Sequence, residues 1–234
     1  MTDDNDYLKI GDGSYHRMIA APTGGGKSYT VGAMVEELYD REIPFILLDT
    51  KTVNHIGLIS LPEVKLLKIS PRLDYRQLGE LLKYPYIVCV PAGRNVNISD
   101  IISIYREIIS YIWMHETNGR IIIAEECHNY NKNASVPDPL LEQIAREGRS
   151  SKIFLWFVTQ RLQNFPQILW SQCQLTYLWH FNIPTDIRYA GQMVPNFDQI
   201  NREKLHKHDV LIWDSNEATI VPANSVRRRT QHKG

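Results

Sequence analysis

Short apolar runs alternate with amphipathic stretches along most of the chain. Strand-like runs are predicted at 17–21, 44–49, 64–69, 86–90, 120–124, 153–158 and 175–180. Helical spacing of apolar residues is predicted at 27–39, 74–83 and 99–116, the last with Ser99 as its N-cap. Several strand-like runs are apolar at every position, as in central strands that are buried on both faces. This alternation predicts an α/β fold with a mostly parallel central sheet flanked by helices.

Length and composition are those of an ordinary globular domain. The chain has 234 residues, and we expect one domain at 15–224 between a polar N-terminal tail at 1–14 and a basic C-terminal tail at 225–234, both loose. Lys and Arg number 26, as do Asp and Glu, which excludes a globally basic nucleic-acid-binding protein but not a local patch. The three cysteines are far apart, so neither a disulfide framework nor a zinc site is predicted.

The N-terminus and the apolar runs also bear on location. No apolar run reaches the roughly 18 residues that cross a bilayer. The first residues are acidic and polar, unlike a signal peptide. We therefore expect no membrane insertion and a cytoplasmic location.

A glycine-rich segment follows the first strand-like run. Residues 21–28 read Ala-Pro-Thr-Gly-Gly-Gly-Lys-Ser, which matches the phosphate-loop pattern G-x-x-x-x-G-K-[ST] except that Ala21 stands at the first glycine position. Glycines let successive backbone N–H groups point at an anion, and the helix that follows directs its positive end at the phosphates. Lys27 would reach the β- and γ-phosphates, and the Ser28 hydroxyl would bind Mg²⁺. The predicted ATP contacts are Thr23, Gly24, Gly25, Gly26, Lys27, Ser28 and Tyr29.

Two carboxylates follow the apolar run at 121–124. An ATPase of this kind needs an acidic group near the magnesium ion and a base for the attacking water, both at the end of a buried strand. Glu125 is predicted to lie in the outer shell of Mg²⁺, although aspartate is more usual there. Glu126 is predicted to act as the general base.

The run at 153–158 ends in Thr-Gln-Arg. An amide that emerges at this point can sense the γ-phosphate and align water, and Gln160 is the candidate. Arg146 and Arg149 precede the same run, and their guanidinium groups are candidates for stabilising transition-state charge in the same subunit or in a neighbour.

Taken in order, these motifs resemble the HerA/FtsK group of DNA-pumping ATPases, which includes viral genome-packaging and conjugation proteins. The resembling segments are the phosphate loop, Asp49-Thr50-Lys51, Glu125-Glu126-x-His128, Arg146-x-x-Arg149 with Thr159-Gln160-Arg161, and a Leu-x-x-x-Asp-x-Leu stretch at 205–211. In the last segment His208 stands where the family usually has glycine. Five segments in the family's order are more specific than any one alone.

The resemblance implies a RecA-like core that assembles as a homo-oligomeric ring, a hexamer, and moves double-stranded DNA by ATP hydrolysis. Lys27 and Ser28 would bind phosphates and Mg²⁺, Glu126 would be the base, Gln160 the sensor, and Arg149 or Arg146 would complete a neighbour's site. The minimal size favours viral packaging, with capsid or portal-vertex proteins as partners, in the host cytoplasm or associated with the virion.

Three other interpretations remain open. The first is a DNA pump of plasmid transfer or DNA processing. The second is another P-loop class, a small-molecule kinase or a nucleotide switch, although the guanine motif Asn-Lys-x-Asp is incomplete at 131–134 and no arginine-rich lid is evident. The third is a binding protein with an inert P-loop, whose basic tail from Arg227 would hold nucleic acid.

Overall fold

The computed structural model describes residues 6–70, 75–93 and 96–232. They form a nine-stranded sheet in the order β3-β4-β2-β5-β6-β1-β7-β8-β9. The strands are β1 (Arg17–Ala20), β2 (Phe45–Leu48), β3 (Lys65–Ile69), β4 (Tyr86–Pro91), β5 (Arg120–Ala124), β6 (Ile153–Thr159), β7 (Leu175–Leu178), β8 (Val210–Trp213) and β9 (Ala218–Val221). The first seven strands are parallel, and β8 and β9 form an antiparallel extension.

Helices cover both faces of this sheet. They are α1 (Lys27–Asp40), α2 (Tyr75–Leu81), α3 (Ile98–His115), α4 (Pro139–Glu147), α5 (Gln167–Trp170), α6 (Pro184–Gly191) and α7 (Phe197–Glu203). Alternate residues of each strand face opposite sides, so that Met18 belongs to the core under α3 and Ile19 to the core under α1. The predicted fold class, a P-loop α/β fold with a mostly parallel sheet between helices, is confirmed.

The start of α3 differs from the prediction. The helix begins at Ile98, and the N-cap is Asn97, whose side-chain oxygen accepts a hydrogen bond from the Ser99 backbone N–H at 3.1 Å. Ser99 is therefore not the N-cap; it lies inside the first turn, where its N–H needs a partner. The predicted start of the second helix, Asp74, lies outside the described residues.

Neither terminal segment is loose over its described part. In the N-terminal segment Leu8 and Ile10 are fully buried, and the buried Arg17 guanidinium donates to the carbonyls of Lys9 and Ile10 at 2.8 Å each. In the C-terminal segment Thr230 is 8% exposed. Polar composition predicts loose tails, but hydrogen bonds hold the described part of each segment on the domain, as those from the Arg229 and Thr230 N–H groups to Glu36 do at the C-terminus.

Acid is expected to destabilise the domain through His16, just before β1. The side chain is 3% exposed, its Nδ1 accepts a hydrogen bond from the Leu155 N–H at 2.9 Å, and burial lowers the pKa of the ring to about 4. The unfolded chain binds this proton near its ordinary pKa of 6.5, so the stabilisation is complete above pH 6.5 and is lost as the pH falls towards 4. The slope from one such proton is at most about 1.4 kcal/mol per pH unit.

Urea unfolding of the wild type and of His16→Gln between pH 7 and 4 measures this slope. Glutamine keeps an acceptor for the Leu155 N–H but does not titrate, so the variant should lose stability less steeply. Equal slopes would contradict the assignment.

Among the described residues, no helix combines the length and the apolar character needed to span a bilayer.

Candidate active site

The glycine-rich loop occupies the centre of the sheet at its carboxyl edge. It leaves the end of β1 and enters α1 at Lys27. Gly24 and Gly26 have φ values of 75° and 99°, a left-handed backbone that side chains with a Cβ rarely adopt. All the residues predicted to contact ATP, from Thr23 to Tyr29, line one cavity of about 640 Å³. This volume lies within the range of small-molecule and cofactor sites.

Lys27 ends in a buried cluster at the carboxyl end of β5. Its Nζ donates to Glu125 Oε2 at 2.7 Å, and His55 Nε2 lies 2.9 Å from Glu125 Oε1. The three side chains are 5%, 2% and 0% exposed. Burial disfavours the Glu125 carboxylate, but the Lys27 charge and the His55 hydrogen bond outweigh it and lower the pKa of Glu125. Both Glu125 oxygens therefore have partners within the protein.

Asp49 adds a second buried carboxyl group after β2. Its Oδ1 accepts a hydrogen bond from the Lys51 N–H at 2.8 Å, whereas its Oδ2 has no hydrogen-bond partner among the described residues. Burial raises the pKa of Asp49 to about 6, against an opposing effect of His55. One buried oxygen in this cluster thus remains available to a water molecule.

The oxygen atoms near the loop fit Mg²⁺ bound together with phosphates. Ser28 lines the cavity, and its hydroxyl lies 3.4 Å from the Asn54 side-chain nitrogen. Mg²⁺ prefers oxygen ligands and keeps several waters, so one hydroxyl with carboxylates behind it is a suitable set. No group of three or more His, Cys, Asp or Glu side chains in the described part of the chain could hold a metal by itself.

A second set of contacts joins three of the predicted motifs. The Gln160 side-chain amide donates to Glu126 Oε1, and its backbone N–H donates to Oε2 at 3.3 Å. The Thr23 hydroxyl donates to Gln160 Oε1 at 2.6 Å. Glu126 has φ 49° and ψ 44°, so the chain turns sharply where the side chain leaves β5. Because β6 lies between β1 and β5, the end of β6 bridges the phosphate loop and the carboxylate.

His128 supports this arrangement from one side. Its Nδ1 lies 2.9 Å from the Thr159 hydroxyl and 3.5 Å from Glu126 Oε2. Burial, and secondarily the Arg161 charge, lowers the pKa of the His128 ring to about 4. The ring is therefore neutral near pH 7 and does not neutralise Glu126.

The two predicted arginines lie away from the loop of their own chain. Arg146 is on α4, where it donates to Glu142 at 2.6 Å. Arg149 lines a surface pocket with Asn118 and Gly119, at the amino ends of β5 and β6. The phosphate loop lies at the opposite, carboxyl ends, so neither guanidinium is near it within one subunit.

Several cavity residues were not predicted as site residues. His208 has φ 72°, a conformation that glycine adopts freely, and its Nδ1 lies 3.1 Å from the Gly25 carbonyl oxygen. This backbone explains why the resembling family usually has glycine there. Val226 and His232, from the segment expected to be a loose tail, also line the cavity, and no sequence pattern points to either.

Residues 7–52, which include the phosphate loop, match the family model described as helicase HerA, central domain. No curated protein matches the chain in sequence.

Solved structures match over most of the chain. The genome packaging NTPase B204 from Sulfolobus turreted icosahedral virus 2, in complex with ATP-γS, has a TM-score of 0.65 at 16% identity, covering 89% of this chain and 96% of that one. The bacterial conjugative coupling protein TrwB has a TM-score of 0.63 at 10% identity, covering 92% and 87%. EssC from Geobacillus thermodenitrificans has a TM-score of 0.54 at 14% identity, covering 89% and 39%.

The family model covers the phosphate loop, and solved NTPases share the fold around it. The predicted resemblance to the HerA/FtsK P-loop ATPases is therefore confirmed by the family model over residues 7–52, and the fold is confirmed over most of the chain.

Proposed function

We propose that the protein is an ATP-driven double-stranded DNA translocase that packages a viral genome into a capsid. The observation that carries its central part, ATP hydrolysis, is the chain of contacts from Thr23 through Gln160 to Glu126. A carboxylate held beside a phosphate loop can accept a proton from the attacking water, and an adjacent amide can orient that water. These contacts support Glu126 as the general base and Gln160 as the sensor of the γ-phosphate.

Phosphate binding is proposed for the loop N–H groups and Lys27. An ammonium group has three donors, so Lys27 can keep its bond to Glu125 while it meets the β- and γ-phosphates. Ser28 would hold Mg²⁺ directly and Glu125 would act through water. When bound, Mg²⁺ neutralises charge on the phosphates.

We propose that Arg149 or Arg146 completes the site of a neighbouring subunit in a homo-oligomeric ring, a hexamer by family resemblance. Arg149 lies at the amino ends of β5 and β6, whereas its own phosphate loop follows the carboxyl end of β1. A role for this residue in charge stabilisation therefore requires a second subunit. The location supports action in trans.

DNA as the substrate is supported by the names of proteins that share the fold, among them a DNA-packaging ATPase, whereas double-stranded DNA is proposed from the family resemblance. One is a viral genome packaging NTPase, of which 96% is covered. Another is a conjugative coupling protein, and this likeness favours the alternative of a DNA pump in plasmid transfer. For the packaging role, capsid or portal-vertex proteins are the proposed partners, in the host cytoplasm or with the virion.

Phosphate release with and without double-stranded DNA tests the proposal. We expect Mg²⁺-dependent ATP hydrolysis that double-stranded DNA accelerates several-fold, with single-stranded DNA of equal length as the control. If DNA does not change the rate of hydrolysis, the protein is an ATPase and the proposal of a translocase is refuted. Labelled γ-phosphate on a small acceptor, instead of free phosphate, would identify a kinase.

A further inference from the structure

Residues 226–232, which we name the C-terminal strap, are fastened to the outer side of α1. The carboxylate of Glu36, which is 2% exposed, accepts hydrogen bonds from the backbone N–H groups of Arg229 and Thr230 at 2.8 and 2.7 Å. The Arg229 guanidinium also pairs with Asp40 at 2.8 Å. A buried carboxylate that receives two N–H groups fixes the strap along the helix.

Two glycines make room for the strap. A Cβ on Gly32, in the middle of α1, would lie 2.3 Å from Cζ of Arg228. A Cβ on Gly57 would lie 2.0 Å from the carbonyl oxygen of Gln231. Glycine in a helix interior is unfavourable relative to alanine. The close approach of Arg228 accounts for its presence here.

The strap also joins the phosphate loop to the loop after β2. Nη1 of Arg228 lies 3.2 Å from the Ser28 carbonyl oxygen and 3.4 Å from that of Asn54. The same nitrogen lies 3.0 Å from Nδ1 of His232. The Arg228 guanidinium therefore faces inward and contacts residues that line the nucleotide cavity.

The orientation of a bound nucleotide in the cavity follows from the contact between Thr23 and Gln160. Thr23 bonds to Gln160, which marks the end where the γ-phosphate would react. A nucleotide whose phosphates follow the loop towards Ser28 therefore has its ribose and base beyond Tyr29. At that end the cavity is lined by Val226 and His232 of the strap.

The surface presented there is apolar and aromatic. The Tyr29 hydroxyl accepts a hydrogen bond from the Arg228 N–H at 3.1 Å, which fixes the Tyr29 ring. The rings of Tyr29 and His232 meet edge to face with centroids 5.9 Å apart. Planar rings and an aliphatic side chain form a surface of the kind that binds a heteroaromatic base.

We propose that the C-terminal strap is the nucleoside-binding wall of the ATP site, with Arg228 as the positioning residue and Val226 and His232 as the contacts. The inference rests on the proposed function, because it assumes that the cavity binds ATP. It assigns the inward-facing part of the basic tail to the nucleotide instead of to DNA.

Calorimetric titration of the full chain with Mg-ATP and with Mg-tripolyphosphate tests the proposal, because tripolyphosphate has the phosphates without the nucleoside. Gly32→Ala, which displaces Arg228, and His232→Ala should each weaken ATP binding about tenfold. Tripolyphosphate binding should stay within about twofold of the wild type, since the loop N–H groups are unchanged. Alanine is more favourable than glycine inside a helix, so any fall in the Tm of Gly32→Ala would come from lost contacts between the strap and α1.

Lys68→Ala is the control, because it removes one positive charge from an exposed position on β3, outside the strap and the nucleotide cavity. It should bind both ligands as the wild type does. Unchanged ATP affinity in Gly32→Ala and His232→Ala would overturn the proposal, and so would an equal loss of ATP and tripolyphosphate binding. If these variants lose affinity for double-stranded DNA without nucleotide but keep it for ATP, nucleic acid is the ligand of the strap. A wild type that binds neither ATP nor tripolyphosphate would instead refute the proposed function.

Discussion

Glu126→Gln is expected to stop ATP hydrolysis without stopping ATP binding. The glutamine keeps the length of the side chain and one oxygen that can accept the Gln160 amide hydrogen bond, but it cannot accept a proton from water. Loss of a general base lowers kcat by about 10²- to 10⁴-fold. The phosphate loop is untouched, so the Kd for ATP should change by no more than about threefold.

Single-turnover hydrolysis and ATP titration of the same preparation measure the two quantities separately. Glu203→Gln is a suitable control, since it makes the same change on the exposed surface of α7. If the variant hydrolyses ATP at a rate within tenfold of the wild-type rate, Glu126 is not the general base. Equal loss in binding and turnover would indicate that Glu126 supports the site structurally.

The central strands could be predicted because a strand that is buried on both faces is apolar at nearly every position. The apolar run at 120–124 coincides with β5, and the run at 153–158 needed only Thr159 to complete β6. Thr159 is polar, yet it is buried because its hydroxyl bonds to His128. Such a pairing depends on tertiary structure, so composition at that position could not reveal it.

The phosphate loop and the paired carboxylates could be predicted because their chemistry depends on local spacing. His55 could not, because only the pairing of β2 with β5 brings the loop after β2 to Glu125. This contact also explains why glutamate suits position 125, where aspartate was expected. Its longer side chain lets one carboxylate reach both Lys27 and His55. The roles assigned to these residues remain predictions.

The packing of the C-terminal strap on α1 could not be predicted from the composition of the strap. Its basic, polar sequence is typical of a solvated tail, and we expected one. Gly32 and Glu36 are four residues apart in α1, and therefore lie on one face of the helix. Only the interior glycine is visible in the sequence; the burial of Glu36, and the segment that covers it, depend on the tertiary structure.

Glu125→Gln is expected to destabilise the nucleotide-free protein by about 3–5 kcal/mol, the range for breaking a buried ion pair on one side. The Lys27 ammonium would remain buried with a neutral partner, 2.7 Å from where the carboxylate oxygen was. Urea unfolding measures the loss. The double variant Lys27→Met with Glu125→Gln removes the unpaired charge, and its stability should recover most of the loss, since the two substitutions share one interaction.

ATP without Mg²⁺ should then stabilise Glu125→Gln more than it stabilises the wild type, because the phosphates replace the missing counter-charge of Lys27. The additional stabilisation appears as a larger ATP-induced rise in the free energy of unfolding. Glu116→Gln is the matched control: it breaks a buried pair with Arg120 at 2.7 Å, at the start of β5, the amino end of the sheet. ATP should stabilise that variant only as much as the wild type. Equal ATP effects in all three proteins would mean that Lys27 does not face the phosphates, and the phosphate site proposed here would have to be abandoned.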